Sequence, residues 1–323
     1  MPDLVKVIVV GGLNTDIIAN GVSSLLNAGE LTRSGQLVIG PGGKSRNIAQ
    51  MIATYESKIE VHMIGKTVRD TNGLWQAPYK ALQEAGVNVD AVDILNEEDG
   101  MAPGVALIAV DQNGRNQIYC LPGVNDTLCE SDINKNAALF TETSSLNGVL
   151  TMALEMPKAA AESALSLAAL KGLKTIVDPG GIQTNEDYTS LLNHKIYLLK
   201  PNEHEMEILS GEKITDLSSA TLAARALLSK YPIENILLTH GKNGAYLINR
   251  EISEHFPIPS VPQGSSCDET GCGDQVTAVM SAEISKGSSL GSAVKKALIA
   301  ASLQFYRTGI HPVAIEEVEA VSF

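Results

Sequence analysis

The chain has 323 residues, enough for a large buried core, and it is 44% hydrophobic but only 4% aromatic, the Ala/Val/Ile/Leu make-up of parallel strands buried between helices. Its formal net charge of −13 argues against a nucleic-acid partner, whose phosphates need a basic face. No apolar run approaches the ~18 residues of a membrane span, the N-terminus enters a strand without a leader layout, and Cys120, Cys129, Cys267 and Cys272 lack metal-site spacing, so the expectation is no membrane and reduced thiols in the cytoplasm.

In chain order, apolar segments predict strands near 5–10, 59–64, 148–153, 174–178, 196–199 and 235–239. Helical patterns fall near 43–55, 72–85, 157–171 and 217–230. This alternation implies βαβ units, a parallel sheet and right-handed crossovers. Ligands then collect at the carboxyl ends of the strands, where Asn14, Asp178, Lys200 and Thr239 lie. Two segments, 17–40 and 99–122, break the rhythm and read as short alternating strands with turns such as Asn113-Gly114. No internal repeat or interdomain linker is visible, so residues 1–323 read as one α/β domain with an appended lid.

Three clusters carry candidate chemistry. Asn14-Thr15-Asp16 follows the first strand and the turn Gly11-Gly12, and Asn and Asp at a strand end suit the hydroxyls of a polyol. Pro41-Gly42-Gly43-Lys44-Ser45-Arg46-Asn47 opens a helix. It mimics the tail of a Walker A loop, but Val38 stands where that pattern needs its first glycine. What remains is a Gly-Gly turn that lets a ligand approach, with Lys44 and Asn47 as donors. Asp268-Glu269-Thr270-Gly271-Cys272-Gly273-Asp274 precedes a long run of small residues. A Gly-x-Gly turn at a helix start aims free amides and the positive dipole end outward, a site for phosphate or a developing oxyanion. Asp274, in the first turn, can take a proton from a hydroxyl beside that anion, which equips the site for phosphoryl transfer to an alcohol. An ordinary loop-to-helix turn explains the same aspartate. A dinucleotide fingerprint is excluded by Val276 at its third glycine position.

Taken together, these residues resemble the ribokinase-like (PfkB) family over nearly the whole chain. Gly11-Gly12-Leu13-Asn14-Thr15-Asp16 resembles its N-terminal substrate motif, and Gly42-Gly43-Lys44-Ser45-Arg46-Asn47 its first signature, usually Gly-Gly-Lys-Gly-Ala-Asn. Gly65 to Gly73 resembles a glycine-rich turn of the family, with Val68 at one glycine. Pro122-Gly123-Val124-Asn125 resembles Pro-Gly-Ala-Asn, and Glu155 falls where ribokinases carry a sugar-contacting glutamate. Asn202 to Glu205 matches Asn-x-x-Glu, and Thr239-His240-Gly241-Lys242-Asn243-Gly244 resembles the nucleotide loop.

The resemblance implies a three-layer α/β sandwich with a small β-sheet lid and an ATP-dependent sugar kinase acting on a primary hydroxyl, ribose foremost. It implies that Asn14, Asp16, Gly42, Gly43, Lys44, Asn47 and Glu155 hold the sugar, and that the Gly271, Cys272 and Gly273 turn with Asp274 forms the catalytic element. It further implies that Asn202 and Glu205 help place magnesium, that Thr239, Gly241 and Gly244 meet ATP, and that Asp268, Thr270 and Gly309 lie at a potassium site. Lids that clasp in pairs imply a homodimer. Two departures stand out. Glu269 and Cys272 alter the second signature, where Cys272 reads as the filler of an alanine-sized gap, with a thiol pKa lowered by the helix amides as the alternative. Ser45-Arg46 replaces Gly-Ala, putting two larger side chains near the pocket and leaving the sugar open. A fructokinase-like or nucleoside kinase is the alternative within the family. A catalytically silent sugar or nucleotide sensor is the alternative outside it, disfavoured by the intact Asp274.

Overall fold

In the computed structural model, which describes residues 5–96, 100–143, 148–264 and 267–321, the first apolar segment becomes strand β1 (Val5–Val10), an interior strand third from one edge of a large sheet. Its alternation feeds two cores at once: Val7 and Val9 point into one cluster, and Ile8 and Val10 into the other, as the period of two in a strand requires. The remaining strands in chain order are β2 (Asn14–Val22), β3 (Gln36–Gly42), β4 (Ile59–Arg69), β5 (Val92–Asn96), β6 (Gly104–Asp111) and β7 (Asn116–Leu121). They are followed by β8 (Val149–Ala153), β9 (Lys174–Asp178), β10 (Ile196–Leu199), β11 (Ile233–Thr239), β12 (Ala245–Ile248) and β13 (Ser253–Phe256).

The large sheet has nine strands in the order β13-β12-β11-β10-β9-β8-β1-β4-β5. All pairs from β11 to β5 are parallel, while β11–β12 and β12–β13 are antiparallel. Helices Lys44–Tyr55, Cys272–Ser285 and Leu290–Phe305 bury their apolar residues with Val7 and Val9, and helices Lys158–Lys171 and Leu217–Lys230 bury theirs with Ile8 and Val10. The expected three-layer α/β sandwich is therefore present. Helix Cys272–Ser285 is buried from Asp274 onward, and its Ala, Ser and Thr content lets it pack closely between the sheet and helix Leu290–Phe305. Among the described residues, no helix is long and apolar enough to cross a membrane.

A second sheet of four strands, ordered β3-β2-β6-β7, forms the lid. Its strands differ from the expected spans in one consequential way: β2 starts at Asn14 and β3 ends at Gly42, so both sugar motifs lie on lid strands at their junction with the body. Asn14 pairs with Gly42, and Asp16 with Gly40. The turn before β7 contains Gly114 at φ 79°, as the Asn-Gly pair predicts. Residue 99, at the edge of the expected second lid segment, lies outside the described residues.

Candidate active site

Helix Lys44–Tyr55 starts at Gly43, whose φ of 92° and tight fit against the Gly12 carbonyl exclude a side chain. Lys44 and Asn47 are one turn apart, so they share a helix face, and both reach Asp274 on another helix. Asn47 Nδ2 donates to Asp274 Oδ2 at 2.8 Å, and Lys44 Nζ lies 3.2 Å from Asp274 Oδ1. The Lys44 N–H, one of the unpaired amides of a helix start, donates to Glu155 Oε2 at 3.2 Å. Burial works against the Lys44 ammonium, but Asp178, Asp274 and Glu155 around it hold its pKa well above the ordinary lysine value.

Two carboxylates nearby are also raised, which here disfavours the charged form. Burial raises Glu155 to about 7 against the pull of Lys44. Burial raises Asp16 to about 6 against the pull of Arg46. Gly42 is needed beside Asp16, because a Cβ there would overlap its carboxylate. Asn14 is oriented by Asn125, whose Nδ2 donates to Asn14 Oδ1 at 2.8 Å while its Oδ1 accepts the Leu13 N–H at 3.1 Å.

Helix Cys272–Ser285 is capped by Gly271 at φ 76°. Glycine has no side chain with which to cap, so the Gly273 and Asp274 amides of the first turn are open to an anion, while the Cys272 N–H is turned back onto the Glu269 carbonyl at 3.2 Å. Beneath this turn lies a buried pair that sequence reasoning placed at strand ends without assigning it to the site. Asp178, fully buried, accepts from Lys200 Nζ at 2.8 Å, Thr277 Oγ1 at 2.8 Å and the Gly180 N–H at 2.9 Å. Burial would raise its carboxyl, yet Lys200 and Lys44 hold it below the usual range. Lys200 also donates to the Gly273 carbonyl at 3.3 Å, linking the end of β10 to the anion-binding turn. A lysine and an aspartate directly after apolar strands are the only sequence signal of this pair.

The structure refines the reading of both departures. Ser45 and Arg46 lie near the pocket, as expected, but beneath its loop. Both are fully buried: Ser45 Oγ accepts the Ala153 N–H at 3.2 Å, while Arg46 donates to the Gly42 and Pro41 carbonyls at 3.2 and 2.8 Å and also contacts Asn47 and Gln50. Arg46 thus underlies the sugar loop, with Asp16 and Asp274 as its charge partners. The Cys272 thiol is not lowered by the helix amides. Burial and the neighbouring Asp268, Glu269 and Asp274 push it up to about 12.

On the other side of the Gly271–Gly273 turn is a cavity of about 800 Å³, lined by Asn202, Thr239, Gly241, Gly244, Cys272 and Gly273. Its apolar wall, including Val261, Val276, Leu298, Phe305 and Tyr306, went unread in the sequence because those residues come from scattered segments. Size and lining suit a nucleotide-sized ligand. Glu205 stands behind this wall: its Oε2 accepts the Asn202 N–H at 2.9 Å while Asn202 Oδ1 accepts the Glu205 N–H at 2.8 Å, a reciprocal cap for helix Glu203–Ser210. Burial and Asp178 raise the Glu205 carboxyl. Asp268, Thr270 and Gly309 also come together. Asp268 Oδ1 accepts the Thr270 N–H at 2.9 Å, and Oδ2 accepts the Gly309 N–H at 2.8 Å.

The pocket thus places an aspartate at a helix start, between a polar cleft under the lid and a nucleotide-sized cavity. The whole chain is also similar to known proteins. The family model described as pfkB family carbohydrate kinase matches residues 5–314. A ribokinase of Schizosaccharomyces pombe is 27% identical over 314 residues, covering 95% of this chain and 93% of the relative. A deoxyribokinase of Salmonella typhi is 25% identical over 295 residues, covering 91% and 90%. In fold, the chain superposes on the Arabidopsis thaliana ribokinase complexed with ribose and ATP with a TM-score of 0.85, covering 98% of each chain at 23% identity. The chain belongs to the pfkB family of carbohydrate kinases, and is an ATP-dependent kinase with an alcohol group as acceptor.

Proposed function

We propose that the enzyme transfers the γ-phosphate of ATP to a primary hydroxyl of a small sugar, with ribose as the first substrate to test. The observation that carries this reading is Asp274, held by Asn47 and Lys44 on its sugar side and standing one residue beyond the Gly271–Gly273 turn. In this reading the Asp274 carboxylate accepts the hydroxyl proton as the oxygen meets the phosphorus. The amides of Gly271 and Gly273 stabilise the charge gathering on the transferred group, and the Cys272 amide, bonded to the Glu269 carbonyl, shapes the turn. Asp16, Asn14 and Glu155 orient the sugar, helped by the open turn Gly42-Gly43 and by the Lys44 and Asn47 donors. Thr239, Gly241 and Gly244 receive the nucleotide in the 800 Å³ cavity.

Magnesium fits this site modestly. Among the described residues no three metal-ligating side chains cluster, as suits an ion that rides chiefly on phosphate and water. Glu205 and Asn202 would hold it, since the capping bond of Glu205 uses Oε2 and leaves the other oxygen outside that bond. When bound, it neutralises phosphate charge.

We also propose a homodimer formed through the lid. Residues in register across the lid give an apolar row on each face, Ile39-Ile17-Leu107-Tyr119 and Val38-Ile18-Ile108-Ile118. Leu37, Ile39, Ile118 and Tyr119 are all more than half exposed. Apolar side chains on both faces of a small sheet favour a covering partner, and a second lid does this through a two-fold interface.

ADP release with a panel of ribose, deoxyribose, fructose and nucleosides tests the activity. The proposal expects the highest kcat/KM for a pentose. A nucleoside preferred by an order of magnitude would move the enzyme to the nucleoside-kinase alternative. No turnover of any sugar, despite tight binding, would favour the sensor.

A further inference from the structure

Two peptide carbonyls from distant segments, Thr270 O just ahead of the anion-binding turn and Gly309 O beyond helix Leu290–Phe305, converge on one buried side-chain amide. Gln304 is fully buried. Its Nε2 donates to Gly309 O at 2.6 Å and to Thr270 O at 3.2 Å, and its Oε1 accepts the His311 N–H at 3.0 Å. These partners fix the orientation of the amide. Turned over, it would set an oxygen against two carbonyls and an NH₂ group against an N–H. Asp268 closes the arrangement with its two oxygens on the N–H groups of Thr270 and Gly309, and its own N–H donates to the Phe305 carbonyl at 2.8 Å.

Carbonyls from two loops beside a carboxylate are the donor set of a monovalent cation, which is what the resemblance led us to expect at Asp268, Thr270 and Gly309. The residues present do not fit one. Both carbonyls already accept from an NH₂ group, and both carboxylate oxygens accept from backbone N–H groups. A cation entering here would have to expel the Gln304 amide and leave its two donors unpaired in the interior, which is costly. We propose that the Gln304 amide stands in for the cation: a permanent neutral cross-link that ties residues 267–271 to residues 307–311, presets the Gly271–Gly273 amides, and makes the enzyme independent of potassium. One amide supplies two N–H groups, one for each loop, with no ion to dehydrate and no dependence on salt concentration. Gln304 is thus a positioning residue, acting on the anion-binding turn through Thr270.

The inference rests on the kinase reading, so its test has an arm that needs no turnover. Sugar phosphorylation and thermal melting of the full chain are measured in chlorides of tetramethylammonium, sodium, potassium and caesium at one ionic strength. For the wild type, kcat and the KM for ATP should agree within about twofold across the series, with one melting temperature throughout. Gln304→Ala removes the amide and frees both carbonyls. Its kcat in tetramethylammonium should fall about tenfold or more with little change in the KM for the sugar, and potassium should recover most of the loss and raise the variant's melting temperature. Potassium activation or potassium-specific stabilisation of the wild type would overturn the inference. So would a Gln304→Ala enzyme as active in tetramethylammonium as the wild type, or one whose loss potassium does not relieve. If that variant fails to fold, the wild-type series decides alone. If no sugar is turned over, the melting series still reads the site.

Discussion

Asp274 is held from two directions by groups 227 and 230 residues away in sequence, and its replacement is the sharpest residue-scale test. Asp274→Asn preserves the shape and removes the base. It should lower kcat by roughly a hundredfold or more while leaving ATP and sugar affinity nearly unchanged in calorimetry; turnover within a few-fold of wild type would take Asp274 out of the reaction. Arg46 offers a second test, because it is fully buried with Asp16 and Asp274 as its charge partners. Arg46→Ala leaves the Pro41 and Gly42 carbonyls without their donor and empties a large buried volume, and should cost about 3 kcal/mol or more in urea denaturation. An unchanged midpoint would mean that the arginine is idle. At this scale the sequence was informative where chemistry forces a residue type: a carboxylate after Gly-x-Gly, a lysine and an asparagine one helical turn apart. It placed Asp178 and Lys200 at strand ends but was silent about their pairing, and it was silent about Gln304, because only the folded chain brings the partners of these residues near.

At the scale of elements, the parallel strands other than the edge strand β5, which was not read, were legible because their apolar runs are bounded by turns and separated by helices. The antiparallel edge, β12 and β13, was missed because two four-residue strands carry too little period to separate from loop. The lid strands were read, but their inner ends were set too far out, at 17 and 40 rather than at Asn14 and Gly42. The difference puts Asp16 on the lid and Glu155 on the body, two raised carboxyls that face the same cleft from different elements. Their pH behaviour splits in two. As pH falls through about 7 for Glu155 and about 6 for Asp16, each loses the charge that accepts sugar hydroxyls, so the KM for sugar should rise while the KM for ATP holds. Folding responds with the opposite sign. A carboxyl whose folded pKa lies above its unfolded value contributes stability that is full below the unfolded value and is lost as pH rises through the folded one. The sugar-free enzyme should therefore gain melting temperature from these groups between pH 7.5 and 5.5. Asp16→Asn should flatten the Asp16 part of both trends; a variant that keeps the full pH dependence of KM would exclude Asp16 as the group responsible.

At the scale of the whole molecule, the net charge of −13 is distributed over a body whose site is locally balanced: Lys44, Lys200 and Arg46 stand among Asp16, Asp178, Asp274 and Glu155. The acidic surface does not attract ATP, so binding relies on these local donors and on the amides of the turn. In light scattering at micromolar concentration the protein should appear at twice the 34.2 kDa chain mass, and a species of the single chain mass would refute the paired lids.

Strand β2 gives that pairing a further meaning. Its nine residues run from Asn14, at the junction with the body, to Val22, with a register shift at Gly21, roughly 30 Å at the usual rise per residue. A contact that steadies the outer part of this strand also steadies the carboxylate at its base. Thermodynamic reciprocity then applies: whatever factor self-association adds to sugar affinity, the sugar must add to self-association. In a dilution series, saturating sugar should shift the dimer's midpoint to lower protein concentration, and ATP alone should shift it less. On the proposed reading, the sugar becomes a regulator of assembly because one strand serves both the grip and the handshake.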